Sequence, residues 1–151
     1  MIISIAISAL AVVAVMAVAF TVGRILGRYR DIDVFWPLGF VAVAVVGFFA
    51  SAGTSGSDST QRLLLLVMVS VWGLRLAWHL AWRSRGEGED PRYTQIMRGA
   101  KGGSEIAYAI RVVYGLQAGL LIFISLPVTV GMNTGSPIIP LEIIGAGICA
   151  V

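Results

Sequence analysis

Cysteine and histidine are almost missing from these 151 residues, which hold one of each, Cys149 and His79. A single thiol excludes a disulfide or a cysteine cluster within the chain. The lone imidazole has no second His, Cys or paired carboxylate at ligand spacing, so no metal site is expected. Cys149 sits in an apolar run and reads as a small packing residue. Charge is scarce too: charged residues make up 13% and hydrophobic ones 58%, with a mean hydropathy of +0.89. So few charges cannot cover a soluble domain, and the expected solvent is a bilayer. Complete nucleotide signatures are also absent. Gly86-Glu87-Gly88 runs into Asp90-Pro91 without the third glycine of a dinucleotide fingerprint, and Gly99-Ala100-Lys101-Gly102-Gly103 lacks Walker spacing.

What the chain does have is long apolar runs. Ile2 to Val22 and Val34 to Gly53 carry no charge, and Val112 to Met132 has only small or polar interruptions. Each reaches the roughly 20 residues that a hydrocarbon core of about 30 Å demands. Leu63 to Trp82 has the length but contains Arg75 and His79. A fifth run begins near Ile138 and reaches Val151 after about half a span, a rise of about 16 Å. The expectation is an all-α, polytopic transmembrane helical bundle of four complete spans plus a truncated fifth. Residues 1–151 then form a single domain, the N-terminal part of a longer protein. Ala17-Val18-Ala19 has the pattern of a signal-peptidase site, but no Lys or Arg precedes the run and it continues to Val22, which favours a span.

The cations alternate between loops. Arg24, Arg28 and Arg30 follow the first span and Arg62 alone follows the second. Arg83, Arg85, Arg92, Arg98, Lys101 and Arg111 lie between the third and fourth. The positive-inside rule then places loops 24–33 and 83–111 in the cytoplasm and the N-terminus outside, in an inner or plasma membrane. The formal charge of +3 is thus a topology signal, and no nucleic-acid partner is expected. Asp33 with Pro37 suits a helix start, and Pro127 should kink the fourth span. The pairs Gly23/Gly27 and Gly115/Gly119 permit helix–helix association through glycine-rich faces.

On a helix of about 100° per residue, Met68, Trp72, Arg75, His79, Trp82 and Arg83 fall within an arc of roughly 100°. A guanidinium facing lipid at mid-depth costs about 2.5 to 3.5 kcal/mol or more, which favours a pocket or a buried ion pair for Arg75. The competing reading is snorkelling, with Trp78 and Trp82 as an interfacial belt. His79 reads equally well as a neutral, hydrogen-bonded core residue. Below this face, Arg83, Arg85, Arg92 and Arg98 interleave with Glu87, Glu89 and Asp90. Such a loop either binds lipid headgroups or rims a pocket for an anionic cofactor.

Several strings are distinctive together. Asp33-Val34-Phe35-Trp36-Pro37-Leu38-Gly39-Phe40, then Trp72-Gly73-Leu74-Arg75-Leu76 with His79, then Arg85-Gly86-Glu87-Gly88-Glu89-Asp90-Pro91-Arg92-Tyr93, and Gln117 followed by Leu126-Pro127 stand in that order. The chain from Asp33 onward resembles the steroid 5-alpha-reductase-like integral membrane proteins, in a bacterial branch catalogued as a domain of unknown function. The resemblance implies a helical membrane reductase that uses NADPH to saturate a carbon–carbon double bond in a lipid or steroid-like substrate. The family's clearest cofactor motifs lie in later helices, beyond the residues given. By charge and position, Arg75, His79 and Tyr93 are the catalytic candidates, able to polarise a carbonyl oxygen. Arg85, Arg92 and Arg98 are the candidate partners for the cofactor's phosphates. Two other classes remain open: a membrane methyltransferase acting on a lipid or isoprenoid-like substrate, and a non-catalytic membrane scaffold.

Overall fold

The computed structural model describes residues 1–54, 56–100 and 104–135. Within them the chain is helical and has no strands, and four helical runs are long and apolar enough to cross a membrane. The expected fifth run, from Ile138 onward, lies outside the described residues.

Helix α1 (Ile2–Leu26) carries no charge until Arg24 and stops at Gly27, whose φ of 68° is the left-handed geometry of a helix C-cap. Helix α2 (Ile32–Ala50) begins beyond a short turn and contains Pro37 as its sixth residue, where the ring removes the N–H that would otherwise bond the Asp33 carbonyl. Helix α3 (Ser59–Arg83) starts four residues before its apolar run because Asp58 caps it, accepting from the Gln61 backbone N at 2.9 Å. Helix α4 (Pro91–Met97) is a single short segment with Asp90 as its cap and Pro91 at its first position.

The fourth span differs from its expected bounds. It starts at Ser104, which caps α5 (Glu105–Ala109), passes through a π-helical turn at Ile110–Gly115, and continues as α6 (Leu116–Asn133). The expected loop 83–111 is therefore shortened at its far end, and Arg111 sits inside the helical run. The helix continues through Pro127.

Helix α2 is the hub, packing on α1, α3 and α6. The core gathers Val12, Met16 and Ala19 of α1, Ile32, Phe40 and Val43 of α2, and Val113, Tyr114 and Leu121 of the fourth span, with Tyr93 entering from α4. Of the expected glycines Gly23 is closely approached, a Cβ there lying 2.7 Å from the Tyr114 hydroxyl of the fourth span, and further close approach falls on glycines outside the two pairs. At Gly73 a Cβ would lie 2.9 Å from the Pro37 carbonyl, and at Gly39 it would meet the Leu121 side chain. Gly27 serves as a cap and Gly119 faces open space. A polar seam joins α1 to α6: Ser4 Oγ donates to Asn133 Oδ1 at 2.9 Å, and Thr129 Oγ1 lies 3.4 Å from Ser8 Oγ. Hydrogen bonds of this kind across membrane helices contribute about 0.6 kcal/mol each. Arg62 caps the other end of α2, with Nη2 2.6 Å from the Phe48 carbonyl and its guanidinium over the Phe48 ring.

Candidate functional site

The turn between α1 and α2 and the loop between α3 and α4 lie at one end of the bundle and are stitched together. Glu89 accepts from the backbone N–H groups of Tyr29 and Arg30 with its two oxygens, and also from Asp90 N. Arg30 donates to the Gly88 carbonyl at 2.9 Å and pairs with Glu87 at 2.9 Å. Arg28 pairs with Asp31 at 3.0 Å and donates to the Glu87 carbonyl at 3.1 Å. Glycine at 86 makes this possible. Gly86 takes a φ of 77°, turning the chain so that the acidic run faces the first loop.

Helix α4 is held by Tyr93, a buried residue whose hydroxyl donates to Asp33 Oδ1 at 2.7 Å. Beside it, Arg92 Nη2 lies 3.4 Å from Asp33 Oδ2 and 2.9 Å from Asp90 Oδ2. Burial, then the Asp33 hydrogen bond, pushes the Tyr93 phenol far above its ordinary range. The Arg92 hydrogen bonds hold the Asp90 carboxyl below its ordinary value.

Two cavities meet at this point and share Asp33, Leu80 and Arg92. The outer, of about 380 Å³, is lined by Arg30, Arg83 and Arg92 against Asp33, Glu87, Glu89 and Asp90. Three cations face four carboxylates there, a net of minus one. The inner, of about 410 Å³, lies between α2, α3 and α6, walled by Ile32, Trp36, Pro37 and Leu76, with Gln117 as its polar group on α6. Trp36 packs edge-on against Phe40, and Phe40 in turn against Trp72 of α3. This fixes the indole, and its Nε1–H is buried with no acceptor.

Arg75 and His79 sit elsewhere. Both are exposed on the outer face of α3, where with Trp72, Leu76, Trp78 and Trp82 they line a groove of about 710 Å³. The groove is lined by α3 alone and does not decide between the pocket and snorkelling readings of Arg75; the buried ion pair is not formed among the described residues. Exposed His79 likewise is not the core residue of the alternative reading. The three catalytic candidates are thus divided, with Tyr93 at α4 and Arg75 and His79 across α3. The three arginines are divided as well. Arg92 is paired with carboxylates, Arg85 stacks over Trp82 at 4.7 Å, and Arg98 is exposed at the end of α4.

Sequence reasoning missed Asp33, Glu89 and Trp36 as site residues, having read Asp33 only as a helix-start carboxylate. The signal was present in the spacing Asp33-x-x-Trp36-Pro37, which puts a carboxylate and an indole on one side of α2 at its loop end. A family model described as "Protein of unknown function (DUF1295)" matches residues 19–151. No curated protein matches the chain, and no solved structure does.

Proposed function

This chain belongs to the DUF1295 family, and on that premise we propose that it forms the N-terminal part of a membrane-embedded, NADPH-dependent reductase of carbon–carbon double bonds in a lipid or steroid-like substrate. The observation that carries the reading is the inner cavity. Its walls are mostly apolar, it opens between membrane-spanning helices, and it is lined by Trp36, whose Nε1–H is buried and unpaired, and by Gln117. An apolar cleft with a few polar groups is what a hydrophobic ketone needs, and a buried donor lacking an acceptor suits its carbonyl oxygen. As electron density moves onto that oxygen during saturation of a conjugated bond, an indole N–H that reaches it stabilises the developing charge. The likeness of the Asp33–Phe40 and Trp72–Tyr93 strings to the steroid 5-alpha-reductase-like proteins supports the same reading.

The residues divide their work accordingly. Asp33 receives the Tyr93 hydroxyl and the Arg92 guanidinium, so it ties α4 over the mouth of the cavity. Tyr93 has already committed its proton to Asp33, which makes it a positioning residue for the mouth. NADPH, when bound, supplies the hydride. The outer cleft does not fit its phosphates, because its arginines are outnumbered by carboxylates. Arg85 and Arg98, which form no ion pair among the described residues, remain the phosphate candidates on this chain. Arg75 and His79 present a polar face on the outside of α3 that cannot meet hydrocarbon cheaply.

Trp36→Phe tests the reading, because it keeps the ring and removes the donor. In membranes from cells expressing the complete gene, NADPH-dependent saturation of an α,β-unsaturated sterol ketone should fall about 100-fold in kcat/KM. Unchanged turnover would remove Trp36 from the site. Methyl transfer to the lipid from S-adenosylmethionine, in place of reduction, would move the protein to the methyltransferase class. Neither activity would leave the scaffold reading.

A further inference from the structure

On the far side of the bundle from these cavities, α1 and the π turn enclose a groove of about 330 Å³ that is almost wholly apolar. Val13, Ala17 and Phe20 form one wall and Ile110, Tyr114 and Ala118 the other. Phe20 and Tyr114 meet edge to face at its floor, with ring centroids 5.3 Å apart.

Two arginines stand at one end of this groove. Residues 13, 17, 20 and 24 follow i+3 and i+4 steps and occupy an arc of about 60°, so Arg24 continues the α1 wall. Helix α1 runs toward the charged loops and the fourth span runs away from them. Arg24 and Arg111 therefore both lie about one turn beyond the Phe20–Tyr114 contact, on the loop side. Both are exposed, and neither forms an ion pair among the described residues, in contrast to Arg28, Arg30 and Arg92.

An apolar slot between membrane helices that leads to two unneutralised guanidinium groups is the complement of an amphiphile with an anionic head. We propose that this groove holds an anionic glycerophospholipid, with one acyl chain against Phe20 and Tyr114 and the phosphate at the level of Arg24 and Arg111. A second copy of the chain fits less well. An isologous contact through this face would set Arg24 and Arg111 against their own like charges.

Native mass spectrometry of the purified protein, titrated with phosphatidylglycerol or phosphatidylcholine, tests the assignment. One phosphatidylglycerol per chain should be retained, roughly thirtyfold more tightly than phosphatidylcholine, the factor expected of two headgroup-level arginines. R24Q/R111Q should retain the two lipids equally, R24K/R111K should keep the preference, and each single glutamine variant should lower it about fivefold. V13W, which fills the slot from an exposed position, should weaken both lipids. Equal retention by the unaltered protein would overturn the proposal. So would a preference that survives R24Q/R111Q, displacement of the lipid by inorganic phosphate alone, or a dimer that V13W dissociates. Should the double variant fail to fold, the selectivity of the unaltered protein and of the single variants decides the matter.

Discussion

Tyr93 shows how far a residue's neighbours decide its chemistry. The sequence presents it as one of four tyrosines beside a charged loop, and nothing in its spacing announces burial. In the fold it is enclosed and bound to Asp33, and both effects keep its proton on. An unfolded chain releases that proton near pH 10. The stability linked to this phenol is therefore complete below about pH 10 and declines as the pH climbs above it, because the folded form holds the proton longer. Alkaline difference absorbance of the protein against Tyr93→Phe should show no phenolate from Tyr93 around pH 10. Asp33→Asn should bring the transition down without restoring an ordinary value, since burial is the larger cause. A phenolate titrating at about pH 10 in the unaltered protein would mean that α4 is not docked as described. Arg92 and Arg75 carry the same lesson in opposite directions. The chain order makes both look available, yet two carboxylates neutralise Arg92 while Arg75 stays unpaired among the described residues. Side-chain type was legible in the sequence, and partnership across about sixty positions was not.

Among the elements, hydropathy located the four membrane-length helices of the described residues, because apolar length is a local property of the chain. Their ends were less legible. Asp58 and Ser104 start α3 and the fourth span earlier than the apolar runs do, since a cap satisfies backbone N–H groups irrespective of hydropathy. The π turn at Ile110–Gly115 has no recognisable sequence signal, and the Ser4–Asn133 seam joins positions 129 residues apart. The charged loop is better described as a strap, because Glu89 satisfies the turn that leads into α2. Glu89→Ala removes acceptors from partly buried N–H groups and should cost about 1 to 3 kcal/mol. Hydrogen exchange should then accelerate at Tyr29, Arg30 and Asp90 while the amides of α6 keep their protection. Unchanged exchange at those three amides would show that the strap is not held by Glu89.

Among the described residues the molecule is four membrane-length helices, three of them packed around α2, with both arginine-rich loops at one end and Ser51, Asp58 and Arg62 toward the other. That shared end is what the alternating cation counts required, whichever face of the membrane it occupies. The bundle places two chemistries back to back. A mostly apolar cavity, lined by the indole whose buried N–H is unsatisfied, lies between α2, α3 and α6, and an arginine–histidine–tryptophan face lies on the outside of α3. The sequence made the second visible through helical periodicity within one segment. The first required three helices to be assembled, which no single stretch encodes. Isotope transfer tests the reductase account most directly. Membranes from cells expressing the complete gene are supplied with an α,β-unsaturated sterol ketone and NADPH deuterated at the transferable hydride position, and the product is analysed by mass spectrometry. The account predicts a saturated ketone carrying one deuterium at the β-carbon, in a yield that falls sharply with Trp36→Phe. Recovery of the ketone with its double bond intact, or of a product heavier by a methyl group, would contradict it.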